Sequence, residues 1–288
     1  MLASASKDAV VVVWDVAHPV VRPLFTLCGH TDALCALAWS PDDAQLLTCG
    51  QDELLRLWSL ETGECMHAYR KHTESVVACA WLPTGTHFVS AGLDKLVLLW
   101  SVDGTLLQML QGRRVYDLSL SAASSAELLA ISGREICTYS ITYSSQGLPQ
   151  LHAPVTTPSM LEDHPITSIT LSANSRHALC TVISAEVQIS AEVQEIHLWD
   201  LGSGSRIHRY RGHTHGRYVL RACFGGEGEC LVVSASEDTQ VYIWDRHTEA
   251  LLSSACKRSP RPPPPHRCTF GTGTPRHSSR FCRATRGA

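Results

Sequence analysis

Fifteen His and twelve Cys give this chain many candidate ligands and nucleophiles, so their spacing decides whether any can form a site. No two Cys form a C-x-x-C pair, the spacing typical of structural zinc sites and redox dithiols. His208, His213 and His215 are close in sequence, but His213 also belongs to a repeating set, so no metal site is expected. No H-E-x-x-H, G-x-x-x-x-G-K-[ST] or G-x-S-x-G motif occurs. Gly271-Thr272-Gly273 follows no strand pattern and is not a dinucleotide fingerprint. With no converging acid, base or nucleophile, the chain is expected to be neither an enzyme nor a binder of cofactors or small-molecule substrates.

A different set does recur. An Asp lies six residues before a Trp in Asp8/Trp14, Asp52/Trp58, Asp94/Trp100 and Asp238/Trp244. Ser4, Thr48, Ser90 and Ser234 each lie ten before the same Trp. His30 and His72 precede Trp58 and Trp100 by 28 residues, and His213 precedes Trp244 by 31. The chemistry of this set is hydrogen bonding. An indole N–H only donates, a hydroxyl does both, and a carboxylate only accepts. A buried His–Ser/Thr–Trp–Asp network in each copy would tie three strands and a loop together, and its worth depends on every member being satisfied.

These residues need strands and tight turns to position them. In the last copy LVVSAS reads as a strand, Glu237-Asp238 as a turn and QVYIW as the returning strand. The Asp is expected to cap its turn by accepting from nearby backbone N–H groups. Recurrence about every 40 residues marks a repeat architecture. The fourth copy is degenerate: Tyr139 stands in the Trp position, with Gly133 and Leu129 in the Asp and Ser positions. The fifth, from Pro165 to Asp200, carries a tandem hexad, ISAEVQ, at 183–188 and 189–194. The expectation is three strands in a first unit, then five four-stranded units.

This pattern resembles the WD-repeat β-propellers. Gly29-His30 and Gly212-His213 match their GH signals, and Trp14-Asp15, Trp199-Asp200 and Trp244-Asp245 their WD dipeptides. The resemblance implies an all-β propeller over 1–255, with blades around Trp14, Trp58, Trp100, Tyr139, Trp199 and Trp244. It covers about six of seven expected blades, so an incomplete ring is expected. EDHPITSITLS (162–172), EIHLWDL (195–201), RACFGG (221–226) and SASEDTQVYIWDR (234–246) further resemble the WD-repeat subunits of GID/CTLH ubiquitin ligases, the plant-type branch especially. That resemblance implies a non-catalytic scaffold that assembles the ligase or presents its substrates. The LisH and CTLH modules that precede the propeller in those subunits are not found in this sequence. A generic WD scaffold in signalling or RNA processing remains an alternative. A cullin-4 substrate receptor is disfavoured, because Ala17, Glu61, Gly202 and His247 replace the Arg of W-D-x-R.

The net charge of −3 hides an asymmetry. Residues 257–288 hold eight of the 24 basic residues and no acidic one, so residues 1–256 carry 16 against 27 acidic, a net of −11. An acidic body argues against nucleic-acid binding by the repeats. The Pro/Arg-rich segment 256–288 has no strand pattern and is expected to be disordered; Pro262, Pro265 and Arg267 in it fit a polyproline-ligand spacing. Cys35, Cys79, Cys180 and Cys223 fall on expected strands, as buried free thiols of a reduced compartment. No apolar run is long enough to span a membrane, and the cytoplasm or nucleus is the expected setting. Protein partners would meet the rim residues just before the turn Asp, Lys7, Gln51, Leu93 and Glu237. A second candidate contact is the Arg- and Tyr-rich edge bearing Arg211, Arg217, Tyr218 and Arg221, since both residue types are enriched at interface hot spots.

Overall fold

The computed structural model describes residues 1–17, 20–121, 127–153, 155–183, 194–214 and 219–255. The segment 256–288 and most of the tandem hexad lie outside these residues. The described residues form 24 strands and one short 3₁₀ turn at Glu227–Glu229. They fall into two compact units, divided between Met109 and Leu110.

The first unit holds three antiparallel meanders. The first is β1 (Leu2–Ala5), β2 (Val10–Asp15) and β3 (Arg22–Cys28). The second is β4 (Leu34–Trp39), β5 (Gln45–Gly50), β6 (Leu54–Ser59) and β7 (Cys65–Arg70). The third is β8 (Val76–Trp81), β9 (His87–Gly92), β10 (Leu96–Ser101) and β11 (Leu106–Gln111), whose last two residues fall past the division. The second unit holds three more. Its first sheet is β12 (Asp117–Leu120), β13 (Glu127–Ser132), β14 (Glu135–Tyr143), β15 (Pro149–Leu151) and β16 (Val155–Leu161). Next come β17 (Ile166–Leu171), β18 (His177–Ile183), β19 (Gln194–Asp200) and β20 (Ser205–Tyr210). The last sheet is β21 (Ala222–Gly225), β22 (Leu231–Ala235), β23 (Val241–Asp245) and β24 (Leu251–Ala255).

The fourth sheet departs from the expected four strands. β14 is nine residues long and pairs on one side with both β15 and β16. The extra strand comes from the long Ser- and Pro-containing stretch after Tyr143.

Burial follows position within each sheet. The middle strands β5 and β9 are almost wholly buried, whereas the outer strand β11 alternates half-buried and exposed residues. A strand covered on both faces takes continuous apolar residues, and one covered on a single face alternates. In the first unit Tyr69, Phe88, Trp81 and Trp100 fill the seam between the second and third sheets. Tyr69 donates its hydroxyl proton to the Val102 carbonyl at 2.8 Å, and Trp81 its indole N–H to the Ala38 carbonyl at 3.1 Å. In the second unit the inner strands are laced by polar side chains. Ile169 N–H donates to Asp117 at 3.0 Å, Leu171 N–H to Ser119 at 3.1 Å, and Thr170 to the Ala222 carbonyl at 2.8 Å.

Candidate functional site

Each turn Asp acts on its own loop first. Asp8, Asp52, Asp94 and Asp238 each accept from the backbone N–H two residues on, at 3.1, 3.3, 3.1 and 3.0 Å. The residue between adopts a left-handed conformation, with φ of 65° at Ala9, 64° at Glu53, 66° at Lys95 and 69° at Thr239. That region is costly for a non-glycine residue, and the carboxylate bond offsets the cost. The turns hold Lys7, Gln51, Leu93 and Glu237 one residue before each Asp. Lys7 and Gln51 are exposed; Leu93 and Glu237 are half-buried.

In the second and third sheets the four side chains meet. Trp58 donates its indole N–H to Thr48 Oγ1 at 2.9 Å, Thr48 lies 2.8 Å from His30 Nε2, and His30 Nδ1 lies 2.8 Å from Asp52. The third sheet repeats this: Trp100 to Ser90 at 2.9 Å, Ser90 to His72 Nε2 at 2.9 Å, His72 Nδ1 to Asp94 at 2.8 Å. The carboxylate can only accept, so Nδ1 carries the proton, and Nε2 accepts from the hydroxyl that in turn accepts from the indole. A neutral ring fits this chain. Burial pushes the pKa of His30 and His72 down, outweighing the pull of Asp52 and Asp94. The same Asp52 and Asp94 carboxylates accept from the N–H of Thr31 and Thr73, each at 3.1 Å. The network leaves no room beside it. A Cβ on Gly92 would lie 2.9 Å from Asp94 Oδ1 and 3.0 Å from His72 Nδ1.

The first sheet keeps the inner half of the pattern, with Trp14 donating to Ser4 at 2.9 Å. The sixth departs from it. Trp244 donates to the Arg211 carbonyl at 3.1 Å, not to Ser234, whose hydroxyl donates to the Ala235 carbonyl. Asp238 receives the Tyr242 hydroxyl proton at 2.7 Å. His213 packs edge-on against Trp244 and Tyr242. The Tyr two residues before the Trp supplies a hydroxyl that the copies ending at Trp58 and Trp100 lack, and it takes the carboxylate. The spacing is kept while the partners change.

The fifth sheet holds a network that no spacing rule reveals. Glu162, Glu195 and His197 are all buried. His197 Nδ1 lies 2.8 Å from Glu162, and Nε2 lies 2.7 Å from Glu195. Trp199 donates its indole N–H to Glu162 as well, and Arg211 donates to Glu195 at 2.7 Å. Burial pushes both carboxylates up, but bonds and charge from His197, with Trp199 and Arg206 at Glu162 and Arg211 at Glu195, outweigh it and leave both below the usual range. A cleft of about 370 Å³ beside the network is lined by Leu161, Asp163, Trp199, Arg206, Ile207 and Arg209. The sequence signal was present in the EDHP and EIHLWD stretches, but only the fold brings them together.

Arg211 and Arg221 sit differently from what a partner-binding edge suggests. Arg211 is tied to buried Glu195, and Arg221 donates to buried Asp117 at 2.6 Å. Their charge serves the inside of the second unit, although both side chains keep substantial exposure. Arg217 and Tyr218 lie outside the described residues, as does His215. His208 lies 2.8 Å from Glu249, away from any shared ligand set with His213. Cys35 and Cys223 are exposed, contrary to the expected buried thiols, because their inner-strand positions face away from the core; Cys79 and Cys180 are buried. Among the described residues no cluster of His, Cys, Asp or Glu could hold a metal ion.

The WD domain, G-beta repeat pattern matches residues 21–59, 63–101 and 204–245. The chain is a WD-repeat β-propeller. Its described residues form six blades, one per sheet. It is 33% identical over 254 residues to the "WD repeat-containing protein 26 homolog" of Arabidopsis thaliana, covering 87% of this chain and 40% of that protein. It is 32% identical over 260 residues to "GID complex subunit 7" of Schizosaccharomyces pombe, covering 88% and 47%. It is 24% identical over 256 residues to human "Pre-mRNA-processing factor 17", covering 88% and 42%. The chain thus spans about half the length of the curated relatives it matches. The repeat pattern is matched on the second and third blades, whose networks are complete, and on the sixth, where the spacing survives. No helix of the described residues is long and apolar enough to cross a membrane.

Proposed function

We propose that this WD-repeat chain is a non-catalytic scaffold of a GID/CTLH-type ubiquitin ligase, joining ligase subunits to one another or to substrates. The observation that carries this reading is 32% identity to GID complex subunit 7 along 88% of the chain. The geometry supports a scaffold. In the first unit Asp8, Asp52 and Asp94 hold turns that present Lys7, Gln51 and Leu93, and in the second unit Asp238 holds one that presents Glu237. Side chains that differ from turn to turn suit selective protein contact. Arg217 and Tyr218, of residue types enriched at interface hot spots, are proposed as further contacts; Arg211 and Arg221 are tied to the buried carboxylates of Glu195 and Asp117. The setting proposed is the cytoplasm or nucleus.

The test is co-purification of the chain with purified ligase subunits. Lys7→Glu, Gln51→Arg and Leu93→Arg together should weaken capture without lowering the melting temperature. Unchanged capture would remove the rim from the proposal; absence of capture by the unaltered chain would remove the ligase reading. The relative at 24% identity named for pre-mRNA processing favours a second reading, a scaffold in RNA processing. Recovery of splicing proteins in place of ligase subunits would select it.

A further inference from the structure

Strand β20 carries Arg206 and Arg209, and Arg211 follows just past its end. A register shift between β19 and β20 sets Arg206 opposite Trp199 and Arg209 opposite His197, with Ile207 as the extra residue. Facing residues of an antiparallel pair point to the same side of the sheet, and a bulge re-aims the side chains next to it. Arg206 and Arg209 therefore share one face, although residues three apart on a regular strand point to opposite faces.

Arg206 and Arg211 have carboxylates to meet. Arg206 lies 3.5 Å from buried Glu162, and Arg211 donates to buried Glu195 at 2.7 Å. Arg209, between them, is exposed. Opposite it, both ring nitrogens of His197 are already held by Glu162 and Glu195. Among the described residues no carboxylate pairs with Arg209. The other face of the strand is committed elsewhere: His208 lies 2.8 Å from Glu249, and the Tyr210 hydroxyl donates to the Arg246 carbonyl at 2.6 Å. The strand is thus pinned with Arg209 on the wall of the 370 Å³ cleft. Beside it in that cleft are two exposed aliphatic side chains, Ile207 and Leu161.

These groups select an occupant. An unpaired guanidinium favours an anion, and the exposed aliphatics favour an apolar neighbour to it. Asp163, also on the wall, lies 3.9 Å from Arg206, which has Glu162 as well, so one cation is left over. A phosphate dianion or a run of acids would meet Asp163 and the net −11 of residues 1–256 with that one cation to offset them. A single carboxylate meets Arg209 at contact distance, while exposed charge farther than about 8 Å away is largely screened at physiological salt. A nucleic-acid strand would need several free cations. Small-molecule sites bury most of the ligand's surface, whereas the walls here are exposed, so a side chain carried by a larger molecule fits better. We infer that the cleft docks an extended segment of a partner protein, in which one Asp or Glu bonds Arg209 and an adjacent aliphatic side chain lies on Ile207 and Leu161. Capture of acidic motifs by arginine is a recurring mode of peptide recognition. The inference does not rest on the ligase reading.

The experiment is selection of random heptapeptides, amide-capped at the C-terminus, on the full chain, then titration of the retained peptides with hydrogen exchange read on β20. The expected result is enrichment of one Asp or Glu beside Leu, Ile or Val, with protection rising on β20. Replacing that acid by its amide, or Arg209→Ala, should each weaken binding at least tenfold, and the two losses should not add. Arg209→Glu should turn the preference toward Lys-bearing peptides. Ile207→Ser should weaken binding without altering the preference for an acid. Arg176→Ala removes an exposed arginine of the same blade outside the cleft and should leave binding unchanged. Retention of no peptide would overturn the inference, as would retained peptides without an acid or insensitive to Arg209→Ala. Tighter binding of a phosphoserine peptide than of its Glu counterpart, or protection confined to other strands, would overturn it too.

Discussion

Thr48→Val separates a shared hydroxyl from a merely buried one. Thr48 and Ser234 occupy the same place in their repeats and are 0% and 1% exposed, so area alone predicts similar losses. Their bonds differ. Thr48 Oγ1 bonds both the Trp58 indole and His30 Nε2. Valine keeps the shape and strands both partners in a dry seam. At about 1–3 kcal/mol for each buried group left unsatisfied, the loss is about 2–6 kcal/mol. Ser234→Ala removes a single bond to the neighbouring Ala235 carbonyl, while Trp244 keeps the Arg211 carbonyl; that loss is about 1 kcal/mol or less. The two residues lie in different compact units, so the assay should read each unit separately. Native-state hydrogen exchange on β5 and β6 for the first variant, and on β22 and β23 for the second, does this. Equal losses, or a larger one for Ser234→Ala, would refute the hydrogen-bond assignment.

The remaining predictions share the same logic. Gly92→Ala should cost about 1–3 kcal/mol by overpacking the network, whereas Gly112→Ala, whose nearest atom would be 3.8 Å away, should be nearly neutral; thermal unfolding of the pair checks this. Trp58→Ala should cost about 3–5 kcal/mol, and Tyr139→Ala less, because Gly133 and Leu129 supply no network for it to break. Acid should act oppositely on two groups. His30 and His72 have folded pKa values below their usual 6.5, so the unfolded chain takes up protons first and first-unit stability should fall as pH drops below about 6.5. Asp117, raised to about 6 by burial despite the Arg221 charge, binds its proton more tightly when folded. Its contribution to the second unit should therefore grow as pH falls from about 6 toward 3.8, and Asp117→Asn should remove that part of the pH dependence in urea unfolding read by exchange on β12 and β17.

Much of this protein follows from the chain alone. The strand–turn–strand units, the turn Asp and the complete networks around Trp58 and Trp100 come from local spacing. In those copies the Asp, hydroxyl and Trp share one hairpin, and the His arrives on the loop before it, so sequence distance stands in for spatial distance. The degenerate fourth copy is equally plain, since Gly133 and Leu129 cannot supply a carboxylate or a hydroxyl. Other features depended on choices between competing partners. Asp238 bonds Tyr242 and Trp244 bonds a main-chain carbonyl, because several acceptors stand within reach and only packed geometry ranks them. The Glu162–His197–Glu195 network, the Arg211 and Arg221 anchors and the β14–β15 hairpin needed the fold itself. Glu162 lies 35 residues from His197, and Arg221 lies 104 from Asp117. No periodicity links such residues, and desolvation by the packed blades is what makes their pairing necessary.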